Sequence, residues 1–433
     1  MTVKTVPVRE LYCHQLKQEV LTLRWTMNFA VSIKLRRSLT FSGIFLFFSF
    51  LFIVQPFLAF ILLVIVGLIV GTKSSGFSYM IAFFGACYLG LVNVTKFPES
   101  DLLHYFEWYS SAQELSLPAY LAIYSREPIY WIFLHTIANL PFTSEQLFVF
   151  TSTVIAYFIF MFGVIRVSFR LCLNSRVVAC LVVAMMFFAP LFSLSAHLMR
   201  QFLAASLVIL FFSESLLVGR RHWWILFAAI LVHYSAIIFL PLAMIKKIGR
   251  VSNGIGIFLY LSLLPVIYLV SKSAAFFFTD IPVISFVLNR VAAEEWVELG
   301  HLSFASILFV IAMVALSVSN MMALRREVNT ALWGYRWQIN IAVFILVVIV
   351  LAANMQDGTT EISTRFFFYL YFLIGLVLPM YVASHRKQMI LIFLLLALLI
   401  PYFVYNSQFG AWQYASLIDL ISLPTWELWS YRV

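Results

Sequence analysis

Residues 40–71 read TFSGIFLFFSFLFIVQPFLAFILLVIVGLIVG, a stretch without a single charged side chain. A helix needs about 20 apolar residues to cross the hydrocarbon core of a bilayer. This run is too long for one ordinary span, and Gln55-Pro56 interrupts it. It therefore predicts two short membrane helices with the proline at the turn between them.

Further apolar runs follow along the chain. They lie at 77–94, 146–168, 177–195, 202–218, 223–242, 254–271, 302–319, 337–353, 365–383 and 388–405. Helices are expected here, because a segment in lipid must satisfy its own backbone hydrogen bonds. The predicted fold is all-α, a polytopic integral membrane helical bundle with about eleven or twelve membrane segments.

The composition excludes several function classes. Of the 433 residues, 63% are hydrophobic and only 11% are charged, whereas a soluble chain carries about 25% charged residues. A water-soluble enzyme, a disordered protein and a nucleic-acid-binding domain are excluded, so no nucleic acid partner is expected. The net charge of +10 is an orientation signal, since Lys and Arg concentrate in cytoplasmic loops.

The loops sort into acidic and basic groups. Segments 95–127 and 272–301 are mostly acidic and are predicted to be external, and the basic clusters are predicted to be cytoplasmic. We expect a cytoplasmic basic tail (1–38), one transmembrane domain (39–405) with external loops at about 95–145 and 272–301, and an external or interfacial C-terminal segment (406–433). The run 223–242 separates two basic clusters, so it either dips into the membrane and returns or leaves one cluster outside.

One short segment differs from the spans. Residues 127–140 place Glu127, Trp131, His135 and Asn139 at every fourth position, which gives a helix a polar stripe. This pattern favours an external helix lying in the membrane interface. A short tilted span is the alternative.

The first candidate for chemistry precedes the run 202–218. His197, Arg200 and Gln201 are spaced to share one face of a helix. An arginine near a helix N-terminus can hold a phosphate through parallel hydrogen bonds. The alternative is an arginine that reaches the external lipid headgroups.

Other polar residues also stand near apolar runs. His233 either handles a proton or only satisfies a local hydrogen bond with Tyr234 or Ser235. Asp101 follows a span end and is favoured as a general base over Glu99 and Glu107.

Two further arginines carry alternative interpretations. Arg365 either forms a helix-capping salt bridge with Glu361 or binds a phosphate at the start of a span. Arg290 with Glu294 has the same two interpretations. No P-loop, HExxH or GxSxG motif is present, and we expect neither a metal nor another cofactor.

An ordered set of motifs resembles the EpsG-like, Wzy-type polysaccharide polymerases over about residues 57–385. The segment Met199-Arg200-Gln201-Phe202-Leu203-Ala204 resembles their RQ-x-x-A motif. The other matching segments are Asp101 to Tyr105, Glu127-Pro128-Ile129-Tyr130, His233-Tyr234-Ser235-Ala236 and Arg365-Phe366-Phe367-Phe368-Tyr369.

The resemblance implies a glycosyltransferase of the bacterial inner membrane, with a cytoplasmic N-terminus and an active site facing the periplasm. Such an enzyme moves a growing glycan from undecaprenyl pyrophosphate to a sugar hydroxyl of an incoming lipid-linked repeat unit, without a nucleotide. Its partners are the lipid-linked donor and acceptor and membrane lipid, and they can include a membrane protein that regulates chain length.

The resemblance implies a role for each of these polar residues. Asp101, His233 or Glu127 would be the catalytic base. Pyrophosphate would be bound by Arg200, Gln201 and Arg365, with Arg290 and Arg126 in reserve. Tyr105 and His197 would contact sugar, and the aromatics of 102–131 would either stack on sugars or form an interfacial belt.

Three other functions fit a polytopic chain with buried charges. A lipid-linked oligosaccharide flippase would show two related halves, and no internal repeat is visible. A membrane acyltransferase would take its donor from the cytoplasm, away from the acidic side. An O-antigen ligase is a close chemical relative of the polymerase.

Overall fold

The computed structural model describes residues 30–70, 75–124, 126–218, 222–244, 304–324, 330–354, 360–410 and 413–431. All the regular secondary structure within these ranges is helical. The predicted all-α membrane bundle is thereby confirmed. The predictions for residues 1–29, for the run 254–271 and for the loop 272–301 with Arg290 lie outside the described residues.

Most of the described helices lie on the predicted apolar runs. They are α1 (Ala30–Val54), α2 (Pro56–Val70), α3 (Gly76–Val94), α4 (Asp101–Glu114), α5 (Leu117–Ile123), α6 (Pro128–Ala138), α7 (Glu145–Arg170), α8 (Ser175–Met186), α9 (Ala189–Ser195), α10 (Met199–Val218), α11 (Trp223–Val232), α12 (Phe239–Met244), α13 (Phe304–Leu324), α14 (Thr330–Asn354), α15 (Thr360–Ala383), α16 (Gln388–Phe409), α17 (Leu417–Ser422) and α18 (Thr425–Ser430). The predicted break at Gln55-Pro56 is present, since α1 ends at Val54 and α2 begins at Pro56.

Four helices in the described ranges are long and apolar enough to cross a membrane: α3, α7, residues Arg365–Ala383 of α15, and α16. The pair α8 and α9, bent by 53° at a short break, would make a fifth span. Pro190 lies at the start of α9, where it lacks the N–H that a continuous helix would need. Several other apolar helices are shorter, so the count of eleven or twelve segments stays a prediction.

The chain divides into two units, Met1–Leu203 with His385–Val433, and Ala204–Ser384. In the first unit α3 is central, and it packs against α2, α7 and α8. Of its apolar window, 89% is buried by protein, against 11% for α16. The side-chain NH2 group of buried Asn93, near the end of α3, donates to Thr153 on α7 and to Ser195 on α9. These two bonds tie the three helices together.

The C-terminal segment of the first unit folds back onto α2 and α3. The N–H of Phe97 donates to the carbonyl of Gln413 at 3.0 Å. Two residues further on, the N–H of Ala415 donates to the hydroxyl of Thr95 at 3.2 Å. These two bonds hold the segment after α16 against the segment that follows α3.

In the second unit, α13, α14 and α15 pack against one another. The run 223–242 is not one helix: α11 ends at Val232, His233 is extended, and a short 3-10 helix (Tyr234–Ile238) leads into α12. The amide of Gln338 on α14 donates to the carbonyl of Leu242 at 2.6 Å. This bond fixes the end of the broken segment against α14.

Candidate functional site

Three short helices, α4 to α6, occupy the segment between α3 and α7 that the charge pattern marks as a loop. α4 begins directly after Ser100, whose φ is 54°, and α6 begins directly after Glu127, with φ 61° and ψ 51°. Positive φ is uncommon for side chains other than glycine, and such strained backbone is concentrated at functional sites. Ser100 directly precedes Asp101, and Glu127 is itself one of the residues that the sequence indicates for chemistry.

Arg200 forms an ion pair with Glu127 inside the first unit. The Nη1 of Arg200 donates to Oε2 of Glu127 at 2.6 Å, and the two side chains are 24% and 8% exposed. A short, charge-assisted bond between partly buried groups is stronger than a surface pair. The pair joins the second residue of α10 to the residue before α6, so Glu127 holds Arg200 in place.

Two tryptophans face the Arg200 guanidinium. Its Cζ atom lies 5.1 Å from the ring centroid of Trp108 and 5.2 Å from that of Trp131. The two indoles meet edge to face, with centroids 5.2 Å apart. A cation over an aromatic face is attracted by the ring quadrupole, more strongly where water is excluded. The indoles therefore restrict the guanidinium and leave its rim for hydrogen bonds.

Tyr105 completes this arrangement from α4. Its hydroxyl accepts the backbone N–H of Arg200 at 3.4 Å. The ring is 3% exposed, and burial raises the pKa of the phenol, against the opposing effect of Arg200, so the hydroxyl keeps its proton and can donate it. The buried Nε of Arg200 has no hydrogen-bond partner among the described residues. One donor of the guanidinium thus remains unused beside Tyr105.

The remaining aromatics of this segment pack on one another. Tyr120 contacts Tyr124 and Trp131, at centroid separations of 4.8 and 6.1 Å. Its hydroxyl donates to the carbonyl of Trp108 at 3.2 Å. These rings pack into one aromatic cluster beside Arg200.

The polar stripe of α6 is used within the protein. His135 Nε2 is 3.0 Å from the carbonyl of Leu115, and the amide of Asn139 donates to the carbonyl of Ala112 at 3.0 Å. Trp131 is 3% exposed. The stripe therefore faces α4 and its end, while the placement of α6 in a membrane interface stays a prediction.

A second polar contact lies at the end of α3. Lys96 Nζ contacts His197 Nε2, and both residues are buried. His197 lies in the turn between α9 and α10, because α10 begins only at Met199. The predicted helical face shared by His197, Arg200 and Gln201 is therefore wrong at His197. Gln201 follows Arg200 within α10 and is 1% exposed.

Lys96 did not emerge as a site residue from the sequence. Electrostatics links it to the site, since Asp101 acts on both Lys96 and Tyr105. Asp101 itself is exposed, at the first position of α4. Its position is the sequence signal for it: Lys96 lies two residues beyond the end of an apolar helix, where an amine must find polar partners or lose its charge.

The second unit holds the other predicted residues. Nδ1 of His233 lies 2.5 Å from the hydroxyl of Ser235 and accepts the Ser235 N–H at 3.3 Å. Ser235 Oγ lies 2.8 Å from the hydroxyl of Tyr369 on α15. Ser235 thus provides the local bond that the sequence suggested. Since Nδ1 accepts a backbone N–H, the neutral ring carries its proton on Nε2.

Two other arginines predicted to bind pyrophosphate lie in the described ranges. Arg365 is partly buried and opens the apolar part of α15, as predicted. Arg126 is exposed, directly before Glu127. Within the described ranges, no group of three or more His, Cys, Asp or Glu side chains could hold a metal ion.

Replacing Glu127 by alanine should destabilise the protein. The change leaves the partly buried Arg200 without its carboxylate. Breaking a fully buried pair costs about 3 to 5 kcal/mol, and the 24% exposure of Arg200 reduces the expected cost below that range. We expect a lower melting temperature in detergent. The matched control is Glu107→Ala, which removes an exposed carboxylate paired with His104 on α4. Equal melting temperatures for the two variants would contradict a stabilising Glu127–Arg200 pair.

Comparison with known proteins gives one match. A family model described as EpsG family matches residues 78–416, which is most of the chain. Neither a curated protein nor a solved structure matches. The matched range includes α3, the three short helices, Arg200, His233, Arg365 and the segment after α16.

Proposed function

The chain belongs to the EpsG family, a family of polysaccharide-polymerase-type membrane proteins related to the Wzy-type polymerases, and on that premise we propose that it polymerises undecaprenyl-pyrophosphate-linked repeat units. In this reaction the growing glycan leaves its lipid pyrophosphate and joins a sugar hydroxyl of the incoming lipid-linked repeat. The enzyme would act at the bacterial inner membrane, on the periplasmic side, as a nucleotide- and metal-independent glycosyltransferase.

The observation that carries the proposal is the setting of Arg200. A partly buried guanidinium lies at the start of an apolar helix, paired with Glu127 and in contact with two indole rings. The leaving group of the proposed reaction is a lipid pyrophosphate, which is already stable as an anion. The enzyme must gather positive charge and fixed donors around it, and these are most effective where water is excluded.

Donor binding is assigned first to Arg200. Its unused Nε–H and the Tyr105 hydroxyl are donors of the kind a phosphate oxygen accepts. Gln201, Arg365, Arg126 and Arg290 are proposed as further donors to the pyrophosphate. Tyr105 and His197 are also proposed to contact the sugar next to it.

Asp101 is the preferred base. It is exposed at the first turn of α4 and one turn from Tyr105, so a sugar hydroxyl can reach it. Glu127 is a weaker candidate, because one of its oxygens already accepts from Arg200 and its side chain is 8% exposed. For Glu127 we propose a positioning role. His233 stays the second candidate. Because Nε2 carries the proton of the neutral ring, His233 would have to accept a substrate proton at Nδ1, which contacts Ser235.

The proposed orientation follows from charge. The acidic segment with α4 to α6 would lie outside the inner membrane, and the basic tail 1–38 would lie in the cytoplasm. The domain boundaries predicted from the sequence, with a transmembrane domain at 39–405 and an external or interfacial segment at 406–433, belong to this proposal. A chain-length-regulating membrane protein would be a further partner.

Reconstitution tests the proposal directly. The purified chain in liposomes, supplied with one lipid-linked repeat unit and no nucleotide, should produce a ladder of longer glycans on a gel. A flippase would move the repeat unit across the bilayer without lengthening it. A ligase would extend the acceptor by a single transfer to lipid A and give no ladder from repeat units alone.

A further inference from the structure

The basic side chains of Lys96 and His197 lie side by side within the first unit. Their nitrogens are in contact, and the residues are 5% and 4% exposed. Two positive charges at such a separation repel each other strongly where water is excluded. The pair therefore holds one proton more readily than two.

The surroundings of the pair are built from three parts of the chain. Tyr414 covers Lys96, with its ring centroid 5.8 Å from Nζ, and the bonds Phe97–Gln413 and Thr95–Ala415 flank this contact on both sides. His197 comes from the turn before α10. Glu99 and Asp101 act on Lys96 from its own segment. Within the described part of the chain, His197, Tyr414, Glu99 and Asp101 are titratable groups that act on the amine.

Burial has the largest effect on the pKa of Lys96. Burial lowers the pKa of Lys96 to about 7, while Glu99 and Asp101 act in the opposite direction. Burial also raises the pKa of Tyr414, with a further contribution from Glu99, so the phenol above the amine is neutral. In the absence of a bound anion, much of the protein holds Lys96 uncharged near neutral pH.

The pair is linked to the Arg200 site through the sequence and through a shared charged neighbour. His197 precedes Arg200 by three residues, and Asp101 acts on both Lys96 and Tyr105. A pyrophosphate diester carries two negative charges, one on each phosphate, whereas Arg200 with Glu127 is neutral as a pair. A cationic group in addition to Arg200 would therefore strengthen binding of the diester.

We propose that Lys96 and His197 form a proton-sharing pair that takes up one proton from solvent when the pyrophosphate of the donor binds beside Arg200. This inference rests on the proposed function and deepens it. The bound anion stabilises the ammonium form, so the pKa of the pair rises on binding. Binding is then strongest below the pKa of the free protein and weakens as pH rises above it.

Calorimetry on the full chain in detergent micelles tests this linkage. The probe is a farnesyl pyrophosphoryl N-acetylglucosamine, a diester whose phosphates do not titrate near neutral pH. At pH 8, in two buffers of different ionisation enthalpy, we expect uptake of about one proton per bound probe. Between pH 7 and the higher pKa of the complex, Kd should rise about tenfold per pH unit. UDP-N-acetylglucosamine offers the same pyrophosphate without the lipid, and much weaker binding to it would identify the lipid-linked form as the ligand.

Two variants at position 96 provide the controls. Lys96→Arg keeps a permanent charge, so binding should persist with no proton uptake and little dependence on pH. Lys96→Met removes the buried charge without a cavity, and the probe should bind at least about tenfold more weakly, again without uptake. His104→Gln, which removes an exposed histidine on α4, should leave uptake unchanged.

Three results would overturn the inference. They are binding by the native chain without proton uptake, uptake that persists in Lys96→Arg, and native affinity in Lys96→Met. A chain that makes glycan ladders but shows no uptake refutes this inference alone. A chain that neither binds the diester nor makes ladders refutes the proposed function together with it.

Discussion

Arg200→Lys should reduce glycan chain extension by about a hundredfold or more. Lysine keeps the positive charge but loses the planar fork and the contacts of the guanidinium with the rings of Trp108 and Trp131, so it cannot reproduce the bonds of the guanidinium. Arg200→Ala should abolish extension. The rate of ladder formation in reconstituted liposomes, normalised to the amount of folded protein, is the measurement.

A loss of folding must be separated from a loss of function at this position. The double variant Arg200→Gln with Glu127→Gln replaces the ion pair by two neutral amides that can bond to each other, so melting should stay closer to native than in Arg200→Ala. It should nevertheless be inactive. Arg166→Ala is the matched control in the first unit, because Arg166 also lies over an aromatic ring, that of Phe162 at 5.7 Å. Ladders of normal length from Arg200→Lys or from the double variant would refute a role for Arg200 in binding pyrophosphate.

The Asp101→Asn variant should lose chain extension by about a hundredfold or more. Asparagine preserves the shape of the side chain at the first position of α4 but cannot take a proton from a sugar hydroxyl. The farnesyl pyrophosphoryl sugar should still bind, because Asp101 is proposed to act on the acceptor. The loss should therefore appear in the rate of transfer, with donor affinity close to native.

Two further variants, one in each unit, distinguish the candidate bases. Glu107→Gln changes an exposed carboxylate six residues further along α4 and should leave the rate close to native. His233→Gln should reduce the rate less than Asp101→Asn does. If His233→Gln is the more damaging change and Asp101→Asn extends chains normally, the base is His233 and the assignment of Asp101 is wrong.

The membrane helices were predictable because each depends on a local run of apolar residues. The break at Gln55-Pro56 was also predictable, since proline removes a backbone donor at a known position. The break at His233 was harder: the sequence 223–242 is continuously apolar apart from this region, and only the charges on either side indicated an irregular path. The bend between α8 and α9 follows from Pro190, which the hydropathy pattern does not register.

The candidate residues were found individually, but their partners were not. Arg200 was predicted as a ligand and Glu127 as a base, and the structure pairs them across 73 residues of sequence. Periodicity describes one helix at a time and contains no information about which helices meet. The same reason applies to Lys96 and His197, which are 101 residues apart. His197 was assigned to a helical face because its spacing to Arg200 fits one, although the helix starts two residues later.

The link between Thr95 and Ala415 has a consequence for the order in which the protein matures. These residues are 320 positions apart, so Lys96 leaves the ribosome long before Tyr414 exists to cover it. Until residues 413–415 are translated, the amine has only part of its final enclosure and stays closer to an ordinary lysine. Arg200, Glu127 and both tryptophans come from the first half of the chain and can assemble much earlier. The nascent protein would thus assemble the Arg200–Glu127 ion pair first and enclose the adjustable charge of Lys96 only near the end of synthesis.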